Sequence, residues 1–187
     1  MPGAIAVAIV PSTQHSGFGR YVEGENMRQI GQLTVAELQR QGIAAQMFWS
    51  QDDSLDELAA LYRQADSWVR RQPQPIRCVI SLHSDSGLTN HCFGIWGRRD
   101  GISLALALAV TIGAVFPTDD VRVFDSLGDV QYGSYLFTTQ TTAPSVLIEC
   151  GSHQSAEGLA VLSSDTGRRA IAQACCDGLL QWARGDY

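Results

Sequence analysis

Val79-Ile80-Ser81-Leu82-His83 is a short, β-branched apolar run that closes on a histidine. Two other stretches have the same form: Ile9-Val10-Pro11-Ser12-Thr13-Gln14-His15 and Val146-Leu147-Ile148-Glu149. Each run is long enough for one buried strand and ends on a side chain able to hold a metal or move a proton. Strands of this kind build a parallel sheet, whose ligands bind beyond the carboxyl ends of the strands. The three runs together predict two histidines and a carboxylate brought to one sheet edge.

The rest of the chain alternates around these runs. Strands are expected at Ala4–Val10, Ala44–Trp49, Cys78–His83, Cys92–Gly97 and Ser145–Cys150, with shorter ones near Val121–Phe124 and Tyr135–Phe137. Helices are expected from Glu23 to Gln41, stopped by Gly42, and from a Ser54 cap to about Arg71. Others run from Ile102 to Val115 and, as the longer of two after the last strand, from Asp165 to Arg184. Such alternation implies an α/β fold, a mostly parallel twisted sheet with helices on both faces. Its 187 residues fit a single catalytic domain over 1–187.

Composition narrows the function. The chain is 45% hydrophobic and 17% charged, a globular balance. A net charge of −6 with scattered basic residues argues against nucleic acid and gives no polybasic membrane anchor. The apolar start, Met1 to Val10, lacks a basic leader and reaches Pro11 too soon for a signal peptide. The stretch from Ile102 to Phe116 is too short to span a bilayer. The expectation is a chain held in the cytoplasm until release. Five cysteines without a Cys-x-x-Cys pair suit neither a disulfide framework nor a thiolate zinc site. Cys175-Cys176 reads as core filler.

His and carboxylate ligands are the set zinc hydrolases use, with one position left for water and a further carboxylate to carry its proton. The candidates are His15, His83, Glu149 and a glutamate in Glu23-Gly24-Glu25. Helical phase separates the last two. Met27, Ile30, Thr34 and Leu38 follow Glu23 at spacings of three and four, so Glu23 heads the buried stripe. Glu25 leads the polar face of Arg28, Gln29 and Gln32 and is left to the N-terminal helix dipole. Read singly, Glu23 is a helix-start charge and His15 an exposed loop histidine; a single metal site accounts for all four residues.

In Gln14-His15, Glu23, Ser81-Leu82-His83-Ser84-Asp85 and Pro144-Ser145-Val146-Leu147-Ile148-Glu149-Cys150-Gly151, the chain resembles the zinc-dependent N-acetylmuramoyl-L-alanine amidases of phage endolysins and bacterial cell-wall hydrolases. The resemblance implies Zn2+ held by His15, Glu23 and His83, with Glu149 as the catalytic carboxylate. It implies a peptidoglycan substrate, cut between N-acetylmuramic acid and L-alanine. Asp85 and His153 become candidate substrate contacts. The chain departs from the family in having Gln14 for glycine, Asp85 for asparagine and Ser152-His153 for an apolar residue. His153 reads either as a solvated loop histidine or as a group reaching the cleft, and His91 likewise.

Rival readings share the ligands or the fold. A zinc peptidase would cut within the stem peptide, and a non-catalytic wall-binding or regulatory relative would bind no zinc. A thiol hydrolase would pair Cys150 with His153, but neighbouring strand residues face opposite ways, so Cys150 and Glu149 should not share a cleft.

Overall fold

A computed structural model describes residues 2–87, 93–97, 101–116, 121–125 and 139–186. The expected strand at Tyr135–Phe137, together with His91 and Cys92, lies outside them. Strands β1 (Ile5–Pro11), β4 (Ala44–Met47), β5 (Ile76–Asp85), β6 (Phe93–Gly97), β7 (Val121–Asp125) and β8 (Ser145–Ser152) form one sheet in the order β4-β1-β5-β8-β6-β7. Strands β4, β1, β5 and β8 run parallel, β6 is antiparallel to β8, and β7 is parallel to β6. Residues Gly17–Phe18 (β2) and Tyr21–Val22 (β3) pair as a separate antiparallel ribbon. Among the described residues the longer helices are α1 (Glu23–Arg40), α2 (Leu55–Arg71), α3 (Ile102–Gly113), α4 (Ala156–Leu162) and α5 (Asp165–Arg184).

The central strands are buried on both sides, and their alternation sorts residues between two cores. Ile5, Val7, Ile9, Ile80, Leu82, Val146, Ile148 and Cys150 pack with α1, α3 and α5. Ala8, Val10, Val79 and Leu147 pack under α2, against Leu58, Leu61, Tyr62 and Val69. Helices therefore cover both faces, as alternation predicts. Cys175 and Cys176 are buried core residues.

Local chemistry starts most helices in a common way. Ser54, Ser155 and Ser164 accept from backbone N–H groups of Glu57, Gly158 and Gly167 and so cap α2, α4 and α5. Helix α1 has no side-chain cap. Its first N–H groups instead donate to loop carbonyls, Glu23 N to Ser16 O at 3.0 Å and Gly24 N to Gln14 O at 2.8 Å. Glycine is required there, because a Cβ on residue 24 would lie 2.9 Å from Gln14 O. The loop after β1 is thus clamped onto the start of α1.

Candidate metal centre and catalytic site

Strands β5 and β8 carry two of the candidates side by side, with His83 and Glu149 as register partners. Each lies two residues beyond a side chain on the α2 side, Ser81 and Leu147, so both share that strand phase. After His83 the ladder shifts register, and Gly151 at φ +75° turns the end of β8 toward Ser152 and His153. Glu23 reaches the pair from α1. Its Oε1 lies 3.3 Å from His83 Nδ1, and both residues are buried. Helical phase is obeyed, since Glu23, Met27, Ile30, Thr34 and Leu38 are all buried and Glu25 is exposed.

The electrostatics of this cluster are unusual. Two of its atoms, His83 Nε2 and Glu149 Oε2, are sealed from solvent without a hydrogen-bond partner. Burial pushes the Glu149 carboxyl up to about 8; nearby His83 opposes this, and the charges of Glu23 and Asp85 add to it. Burial alone would lower the His83 imidazole. The hydrogen bond to Glu23 and the charges of Glu149 and Glu23 outweigh burial and leave it raised. Sealed orphan atoms on an imidazole and a carboxylate are costly unless something completes them. A cation suits the imidazole and carboxylate donors gathered here.

His15 stands apart from these groups. It lies beyond the end of β1 on an exposed loop, and its Nδ1 is 3.3 Å from Asp53 Oδ2. The carbonyls on either side of it are committed to α1, and its side chain lies among Glu25, Arg28 and Trp49. The loop after β1 thus holds its histidine against Asp53, apart from the Glu23–His83–Glu149 cluster. Among the described residues, no group of three His, Cys, Asp or Glu side chains is assembled for a metal. Glu23 and His83 fit such an ion as arranged; His15 fits only after leaving Asp53.

His153 is neither solvated nor in an open cleft. It is 2% exposed, its Nδ1 lies 2.9 Å from Ser84 Oγ, and its ring stacks on Tyr21 with centroids 5.3 Å apart. The Tyr21 hydroxyl donates to Ser84 Oγ at 2.9 Å. This network ties the β2–β3 ribbon, β5 and the turn after β8 together, one residue from His83. Asp85 is occupied locally, its Oδ1 accepting from Gly87 N and its carbonyl from His153 N. Cys150 faces the core, and burial holds its thiol well above the usual range. Sequence reasoning missed Tyr21, Ser84 and Thr13, whose buried Oγ1 also lacks a partner; only their closeness to candidate residues could have signalled them.

Carboxylates and an imidazole clustered at the carboxyl ends of parallel strands define a hydrolase-type centre. A family model for N-acetylmuramoyl-L-alanine amidase matches residues 7–181, so the chain belongs to that family of peptidoglycan hydrolases. No curated protein matches it significantly by sequence. Solved structures with the same fold include the N-acetylmuramoyl-L-alanine amidase AmiC2 of Nostoc punctiforme, with a TM-score of 0.72 and 17% identity over 96% of this chain and 97% of that one. The N-acetylmuramoyl-L-alanine amidase of Clostridium difficile 630 gives 0.73 and 18% over 98% and 100%. The catalytic domain of the CD27L endolysin, which targets Clostridia difficile, gives 0.73 and 13% over 94% and 97%.

Proposed function

We propose that this chain cuts the amide between the lactyl group of N-acetylmuramic acid and L-alanine by a zinc-assisted hydrolysis in which Glu149 carries the proton. The observation that supports this is the Glu23–His83–Glu149 cluster with its two sealed, unpartnered atoms. Glu23 and His83 would hold the ion with His15 as the third donor, and zinc when bound supplies a Lewis acid and an acidified water. His15 would have to leave Asp53. Exposed pairs of this kind contribute only ~0–1 kcal/mol, so Asp53 itself holds the His15 side chain weakly.

The chain's own residues do the rest. Glu23 Oε1 and His83 Nδ1, 3.3 Å apart, are the two donor atoms that would share the ion. Glu149, the register partner of His83 on the neighbouring strand, is the carboxylate placed to take a proton and return it. Its proton goes to the leaving amine of alanine. Burial around Glu23 and His83 keeps bulk water from competing.

Metal analysis with turbidity assays on purified peptidoglycan tests the reading. The expected result is about one zinc per chain. Glu149→Ala should keep the zinc and lose lysis by roughly 10²–10⁴-fold. Full lysis by His83→Ala would overturn the proposal. Products carrying muramoyl-L-alanine would replace it with a cut inside the stem peptide.

A further inference from the structure

A cavity of about 350 Å³ opens one residue beyond Glu23, lined by His15, Gly24, Glu25, Arg28, Trp49 and Gln51. Its wall carries one cation, Arg28, and one acid, Glu25, and among the described residues the two form no ion pair. Arg28 makes no hydrogen bond or ion pair among the described residues, its Nε is sealed without a partner, and its guanidinium lies 5.1 Å from the Trp49 ring centroid. Trp49 is itself fixed, its Nε1 donating to Ser12 O at 3.2 Å. Asp53 faces His15 and does not line the cavity, and Glu25 is exposed without an ion pair. In a chain of net charge −6, a local cation is needed to draw an anion to this edge.

We propose that this cavity binds a free carboxylate on the peptide side of the scissile amide, one residue beyond alanine, and that Arg28 selects it. A planar guanidinium matches a carboxylate in two parallel hydrogen bonds. Spacing fits that residue. Arg28 lies five residues along α1 from Glu23, about 7–8 Å at 1.5 Å per residue. An extended peptide covers about 7 Å in two residues. A peptide running along α1 from Glu23 toward the polar face would carry its second side chain to the level of Arg28. The inference rests on the reading of Glu23, His83 and Glu149 as the reacting centre.

The test compares two muramoyl dipeptides that differ only in a free carboxylate or a carboxamide on the residue after alanine. Wild type should favour the carboxylate by roughly 10- to 100-fold in kcat/KM, carried by KM, the size of one charge-assisted contact. Arg28→Gln should erase the preference by weakening the carboxylate substrate alone, and Arg28→Lys should keep part of it. Equal turnover of both peptides by wild type, or an equal loss of both in Arg28→Gln, overturns the proposal. If wild type cuts neither, the catalytic reading fails, and calorimetric binding of the two peptides decides this one: tighter binding of the carboxylate that disappears in Arg28→Gln supports it, and equal binding overturns it.

Discussion

His83 and Glu149 stand opposite each other on neighbouring parallel strands, and both are held with their pKa above the ordinary value. One position on each strand therefore couples the charge of the site to the stability of the sheet.

That coupling gives stability a pH dependence in chelated protein. The unfolded chain releases the Glu149 proton near pH 4.5, whereas the fold keeps it to about 8, so the unfolded state binds fewer protons between those values. Stability should fall as pH rises across that window. His83 acts in the same direction, since its raised value adds stability that is full below 6.5 and lost as pH rises through the folded value. Urea midpoints should be higher at pH 5 than at pH 8.5, and Glu149→Gln should flatten the difference. A midpoint that climbs over this range contradicts the assignment.

Glu23 and Glu25 should respond differently to the same substitution. Glu23→Gln removes the charge that faces His83, and zinc affinity should fall by at least the roughly 10–100-fold that losing an outer partner costs. Glu25→Gln should leave affinity unchanged. Competition with a fluorescent chelator measures both, and equal losses would mean the helical phase has been misassigned.

The Tyr21–Ser84–His153 network should show a graded loss of stability. His153→Ala gives up both the Ser84 hydrogen bond and the Tyr21 stack, a cost of about 2–3 kcal/mol. Tyr21→Phe keeps the stack and should cost about 1 kcal/mol. Denaturant titration separates the two, and a Tyr21→Phe loss as large as that of His153→Ala would place the energy in the hydroxyl.

Gly24→Ala should weaken the enzyme without touching a candidate ligand. The added methyl meets Gln14 O and the Thr13 carbonyl carbon within about 3.1 Å, so the loop must lift from α1. A loss of about 1–3 kcal/mol is expected, along with weaker zinc binding if His15 is the third donor. Unchanged stability would show that the loop is not clamped.

Cys150→Ala should leave turnover intact and cost about 1 kcal/mol in packing, because the thiol faces the core. Loss of lysis in a folded Cys150→Ala protein would revive a thiol mechanism.

Much of the architecture was legible because its elements are long and periodic. The buried runs of β1, β5 and β8 and the stripe from Glu23 to Leu38 fall where their patterns place them. The ribbon of β2 and β3 was not legible, since strands of two residues carry no period. The direction of His15 depends on Asp53, and the burial of His153 on Ser84, 69 residues away in the chain. A sequence pattern sets the face of a strand or helix residue, but a loop side chain goes where its distant partner is.

The order β1-β5-β8 has a last consequence. Because His83 and Glu149 sit on adjacent strands, their backbone separation is one inter-strand spacing, ~4.8 Å, and backbone hydrogen bonding sets that spacing. The sheet is a ruler for the reaction. Substitutions can change which groups stand at the two marks, but the distance between the marks cannot drift while the ladder holds. Evolution of this site is therefore free in chemistry and fixed in scale.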